Sequence, residues 1–176
     1  AFERGAGAGS AMRHIISILL QNEAGALARV ANMFSSRGYN IESLNVAPTA
    51  DETVSRLTLV TTGSETVIDQ IEKQLGKLVD VVEIADMTSA DHIERELALF
   101  KVHVVNGSAA KLAAVLEQFG ARLLGETDGH YTVEIVGGSQ EIDRFLKRLA
   151  SVTDSIAIVR SGAMAVVRGA AAFKRA

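Results

Sequence analysis

The chain has 176 residues, 48% of them apolar and 22% charged, with a formal net charge of -3 and a pI of about 5.8. These values fit a folded globular chain of one ordinary domain or two small ones, without the basic excess that a nucleic-acid-binding surface needs. The absence of cysteine excludes disulfides, thiol catalysis and cysteine metal sites, and no apolar run approaches the roughly 18 residues needed to cross a bilayer.

Residues 1–11, AFERGAGAGSA, lack the apolar core of a signal peptide and read as an expression remnant or leader ahead of Met12. RHIISILLQ, residues 13–21, is an isoleucine-rich run of strand length. The polar break Asn22, Glu23, Ala24, Gly25 hands over to a helical stretch with Leu27, Val30, Ala31 and Phe34 on one stripe, and Gly38 stops it. NIESLNVAP (40–48) and VSRLTLVTT (54–62) are strands joined by the polar turn TADET. The second of them places Leu57, Leu59 and Thr61 on one face. SETVIDQIEKQLGKL (64–78) carries Ile68, Ile71, Leu75 and Leu78 at helical spacing behind Ser64 as N-cap, and VDVVEIADM (79–87) closes the series as a strand.

The same order then recurs. ERELALFKVHV (94–104) is a strand, and SAAKLAAVLEQFG (108–120) a helix with Leu112, Val115, Leu116 and Phe119 on one face. ARLLGET and HYTVEIVG flank Asp128-Gly129, a tight-turn dipeptide. SQEIDRFLKRLA (139–150) is a helix capped by Ser139, and SIAIVRSG (155–162) a final strand. Arg95 lies 82 residues after Arg13, and Gly120 lies 82 after Gly38. The last strands, at Val81 and Ile156, are only 75 apart, which points to a shorter turn in the second hairpin. The fold class is therefore α+β: two tandem ferredoxin-like βαββαβ units joined at the polar stretch Met87–Glu94. The units span 12–87 and 88–169, with 170–176 as a tail. Each sheet is covered on one face by two helices, and the apolar character of IISILL on both sides requires a cover on the other face as well.

No active site emerges from the residues. His14, His92, His103 and His130 have no neighbours at metal-ligand spacing, no carboxylate pair stands out, and there is no G-x-S-x-G elbow or P-loop. Ser108 and Lys111 stand at S-x-x-K spacing without the accompanying signatures, so Ser108 reads as a helix cap. The turn at Asn22–Gly25 leaves two readings open. It can reverse the chain, with Asn22 capping the helix and Gly25 relieving a tight bend. It can also hold an α-amino acid: backbone amides near Gly25, Ala26 and Leu27 would take the carboxylate, and the Asn22 side-chain oxygen the ammonium. Asn40, at the start of the next strand, is placed by the topology at the end of the sheet opposite that turn, so it need not reach Asn22 within one chain; a symmetric partner could bring the two together, and Asn40 also reads as an ordinary turn residue after glycine.

The segment from Ile16 to Asp51 with its N-E-x-G-x-L turn (Asn22–Leu27) and R-G-Y-N-I-E-S-L run (Arg37–Leu44), followed by SRLTLVT and IEKQLGKLVDVVEI, resembles the small regulatory subunit of acetolactate synthase (acetohydroxyacid synthase). The resemblance extends over roughly Met12–Gly169. It implies that the first unit is an ACT domain, a module that senses small molecules. The second unit, which keeps Asn106 but lacks the Glu-x-Gly-x-Leu pattern, would be a similar module without an effector site. It further implies a non-catalytic, cytoplasmic chain without a cofactor of its own. Such a chain forms a homodimer through its ACT domains, activates a catalytic large subunit that carries thiamine diphosphate, Mg and FAD, and confers feedback inhibition by valine in branched-chain amino-acid synthesis. Carried onto this chain, effector contacts come from Asn22, Glu23, Ala24, Gly25, Ala26 and Leu27 of one protomer and from Asn40 and Ile41 of the other. An alternative is a stand-alone pair of ACT modules regulating another enzyme or transcription. RNA binding would require exposed aromatics on the sheet, and IISILLQN and SRLTLVTT supply none.

Overall fold

The computed structural model describes residues 11–104, 108–169, 174 and 175. The leader through Ser10, Asn106 and most of the tail lie outside the described residues. Two compact units are present. The first runs to Ile93 and takes the chain back from Ala165; the second is Glu94–Met164. Residues 165–169, grouped with the second domain in the sequence reading, thus fall with the first, where the Arg168 amide donates to the Asp91 carbonyl at 2.8 Å.

The first unit contains β1 (Met12–Gln21), α1 (Ala26–Ser36), β2 (Ser43–Pro48), β3 (Val54–Gly63), α2 (Glu65–Leu75) and β4 (Val81–Asp86). Its sheet runs β4-β1-β3-β2, with β2 at one edge and the two-residue β10 (Lys174–Arg175) added to β4. β1 is antiparallel to both β3 and β4, in the split-βαβ arrangement. Alternation along β1 sends Ile16, Ile18 and Leu20 to the helix-covered face, where they join Val30, Phe34, Leu57, Leu59, Ile68, Ile71 and Leu75 in one core. Ile15, Ser17, Thr58 and Val60 point to the opposite face and are also buried.

The apolar stripe of α1 sits one position away from the expected one. Ala26, Val30, Met33 and Phe34 are buried, whereas Leu27 is 41% exposed. The helix begins only at Ala26, and with Val30 and Phe34 fixed inward Leu27 rotates about 100° away from Ala26, toward solvent. Gly38 is left-handed at φ 69°, and the amides of Gly38 and Tyr39 turn back to the carbonyls of Ser35 and Phe34, closing the helix as expected.

The second unit contains β5 (His92–His103) from Glu94 on, α3 (Ala109–Phe119), β6 (Arg122–Thr127), β7 (His130–Gly137), α4 (Ser139–Ala150) and β8 (Ser155–Arg160), in sheet order β6-β7-β5-β8; β9 (Met164–Val167) falls, from Ala165 on, in the first unit. The β6–β7 turn is Asp128-Gly129, with φ of 51° and 74°, against five residues between β2 and β3, which accounts for part of the shorter repeat; the shorter connection from α3 (ending at Phe119) to β6 (starting at Arg122), compared with that from α1 (ending at Ser36) to β2 (starting at Ser43), accounts for most of the rest. The core centres on Phe145, whose ring meets Phe100 and Phe119 edge-on at 5.2 and 5.3 Å. Helix caps differ in detail from expectation. Ser64 and Ser108 occupy cap positions but make no side-chain cap bond. Gly138 rather than Ser139 caps α4, because the Ser139 hydroxyl is taken by the carboxylates of Glu94 and Glu96. No helix among the described residues is long and apolar enough to cross a membrane.

Candidate functional site

The turn between β1 and α1 is knitted to both neighbouring loops. The Gln21 amide donates to the Asp80 carbonyl, and the Asn22 amide to the Thr53 carbonyl, both at 2.8 Å. The Asn22 side chain does not cap α1: its Nδ2 donates to the Glu52 carbonyl at 2.9 Å. Its Oδ1, an acceptor, is left for another partner. Glu23 and Ala24 are exposed, and the Glu23 carbonyl accepts the Ala26 amide at 3.1 Å.

Gly25 is the N-cap, at φ 84° and ψ -6°, a left-handed conformation that side chains on L residues rarely adopt. No side chain caps α1, and its first turn carries no acidic residue. The first-turn amides around Leu27 therefore sit at the positive end of an 11-residue helix without a side-chain cap, and the nearby Glu23 carboxylate, two residues ahead of the N-cap, acts on Arg29 by its charge. Leu27, turned outward, offers an apolar surface beside them.

One residue pair at this turn was not legible in the sequence. Arg29, in the next helical turn after Gly25, donates through Nε and Nη2 to the two carboxylate oxygens of Asp80, at 2.5 and 2.8 Å. The Asp80 side chain is only 6% exposed. Its bonds from Arg29 hold the carboxyl below its ordinary range, and the same bonds raise the Arg29 guanidinium. A Cβ on Gly25 would lie 3.0 Å from Arg29 Nη1, so the guanidinium lies directly over the glycine. The two partners are 51 residues apart, and nothing in the local pattern of either pointed to the other.

Asn40 and Ile41 lie at the other end of the unit. The Asn40 carbonyl accepts the Thr61 hydroxyl at 2.6 Å, and Thr61 stands opposite His14 near the start of β1. Ile41 packs against the core and Asn40 is exposed. From the level of His14 to Gln21 is seven strand steps, or roughly 23 Å. One chain thus brings Asn22–Leu27 together and holds Asn40 and Ile41 away from them.

The edge strand relates the two ends. β2 and β1 are both antiparallel to β3, so they run the same way. The Thr49 amide donates to the Val54 carbonyl, so Ser43, Asn45 and Ala47 bond inward and the amides of Leu44 and Val46 point out from the edge. Pro48, which has no amide hydrogen, falls on that same outward side.

This βαββαβ unit with a glycine-opened helix start is the architecture of an ACT domain. A family described as the AHAS small subunit-like ACT domain matches residues 16–83, and one described as the small subunit of acetolactate synthase matches residues 95–169. The chain is 45% identical to the acetolactate synthase isozyme 3 small subunit of Salmonella typhimurium, over 90% of this chain and 97% of that one. It is 44% identical to the acetolactate synthase small subunit of Haemophilus influenzae, with the same coverage of both. The crystal structure of the acetolactate synthase small subunit from Thermotoga maritima superposes with a TM-score of 0.79 at 31% identity, covering 91% of this chain and 99% of that one. The chain belongs to the family of acetolactate synthase small subunits.

Proposed function

We propose that this chain is the non-catalytic regulatory subunit of an acetolactate synthase, pairing with a catalytic large subunit, raising its activity and making it sensitive to valine. The names of the relatives support the partner, and the geometry of β2 supports the sensing. If two copies join their β2 edges antiparallel about a two-fold axis, each strand's start meets the other's end. Pro48 stands level with Leu20 across Ser55, next to the Asn22 turn. Such pairing carries Asn40 and Ile41 of one copy to Asn22–Leu27 of the other, closing the distance that a single chain leaves open.

In this reading the effector's carboxylate sits on the first-turn amides of α1, its ammonium on Asn22 Oδ1, and its side chain against Leu27 and the other copy's Ile41. Discrimination among valine, leucine and isoleucine stays modest, since one methylene in an apolar pocket is worth about 1–3 kcal/mol. Valine does no chemistry. It shifts the holoenzyme by binding one arrangement of the paired subunits better than another, with a coupling of about 1–3 kcal/mol. Thiamine diphosphate, with Mg and FAD, stays with the catalytic subunit.

The test is reconstitution with the catalytic subunit, assayed with and without valine, beside calorimetric titration of this chain with valine, leucine and isoleucine. Asn22→Ala and Gly25→Asp are expected to abolish inhibition while retaining activation. The Gly25→Asp carboxylate would stand beside Arg29 Nη1, where it competes for the anion's place. Full inhibition of the Gly25→Asp holoenzyme would remove the site from this turn.

A further inference from the structure

We infer that Arg29, oriented by Asp80, is the charged donor that recognises the effector's carboxylate, so that this turn selects free α-amino acids over their uncharged derivatives. The inference rests on the amino-acid-sensing reading above and adds to it the group that reads the carboxylate.

Three observations carry it. Arg29 spends Nε and Nη2 on a fork with Asp80 and keeps Nη1 out of that fork. The fork fixes where Nη1 points, because a guanidinium is planar and the carboxylate it grips is buried. Nη1 stands over the one residue of the turn that has no side chain, 3.0 Å from where a Cβ would be. A carboxylate arriving at the uncapped first turn of α1 can therefore meet Nη1 and the backbone amides together. Asp80 does not touch the effector in this arrangement; it is a positioning residue.

The second unit supplies an internal comparison. Lys111, 82 residues after Arg29, is exposed. Asp154, in the loop before β8 as Asp80 is in the loop before β4, stands 3.6 Å from His103 Nδ1. The Arg–Asp fork therefore accompanies the N-E-x-G-x-L turn and does not come with the repeat as such.

The experiment titrates the full chain with valine and with valinamide, which keeps the ammonium and the isopropyl group but lacks the carboxylate. Wild-type protein is expected to prefer valine, and Arg29→Gln to lose about 10- to 100-fold in valine affinity while its valinamide affinity stays the same. A merely structural Arg29 would lower both affinities together, and an unchanged valine-to-valinamide ratio in Arg29→Gln overturns the assignment. Should Arg29→Gln fold poorly, the side-chain nitrogen resonances of Arg29 in wild-type protein decide: they are expected to shift with valine and not with valinamide, and unmoved signals at saturating valine overturn it. A wild-type chain that binds neither compound brings down the parent reading. One that binds valine with Arg29 unmoved brings down only this one.

Discussion

His14 on β1 and Glu96 on β5 occupy the same position in the two repeats, and their partners on the neighbouring strand correspond as well. Asp86 pairs in register with Ile16, and Arg160 with Ala98, 82 residues further along. The polarity is reversed: an imidazole faces a carboxylate at 3.3 Å in the first unit, and a carboxylate holds a guanidinium at 2.7 Å in the second. Arg160 also reaches α4, where Nη1 donates to Asp143. In the first unit no long cation spans that gap. A cavity of about 390 Å³ remains, lined by His14, Glu65, Asp69 and Asp86, and the buried His14 Nε2 has no partner. His14→Arg would place a guanidinium among those carboxylates. The expected gain is about 1 kcal/mol, or a Tm rise of ~2–4 °C by scanning calorimetry. An unchanged or lowered Tm would show that the imidazole is the better fit.

At the scale of elements, β2 and α4 carry separable predictions. The Val46 amide points out of the sheet, so Val46→Pro deletes a donor at the free edge and keeps the ladder with β3. Sedimentation velocity is expected to show a weakened dimer, and reconstituted holoenzyme a loss of valine inhibition; an intact dimer would place self-association elsewhere. Phe145→Ala, at the centre of three aromatic rings, is expected to cost about 3–5 kcal/mol in urea titration. The elements themselves were legible because their periods are clean: period 2 along IISILL and SRLTLV, 3.6 along α2 and α4, and Asp128-Gly129 for the tight hairpin. At Ser139 a long-range partner had claimed the residue: its hydroxyl went to Glu94 and Glu96, so it does not cap α4. At Asn22 and Leu27 the helix start decided: α1 begins only at Ala26 with Gly25 as its N-cap, which leaves Asn22 three residues ahead of the cap and turns Leu27 outward. The Asn22–Leu27 cluster was visible as a turn; the fork over it was not, since Asp80 looks like any polar residue ahead of a strand.

For the molecule as a whole, acid stability should track the second unit's buried carboxylate. Burial pushes the Glu96 carboxyl up, but Arg160, Ser139 and the Gly162 amide outweigh it and leave it below its ordinary value of 4.5. With the folded value under the unfolded one, the contribution is complete above about pH 4.5 and is lost as pH falls through the lower folded value. Glu96→Gln, which leaves Arg160 half-satisfied, is expected to lose about 2 kcal/mol at pH 7. This is less than a fully buried pair would give, because the Arg160 side chain is 32% exposed. Its urea midpoint should also fall less steeply than wild type below pH 4.5, and parallel acid profiles would exclude Glu96 as the titrating group. The return of the chain at Ala165 has a further consequence. The first unit is encoded in two separated stretches, so a premature stop within the second repeat also truncates the first. Any recombination that exchanged the second repeat would have to join the reading frame at two points.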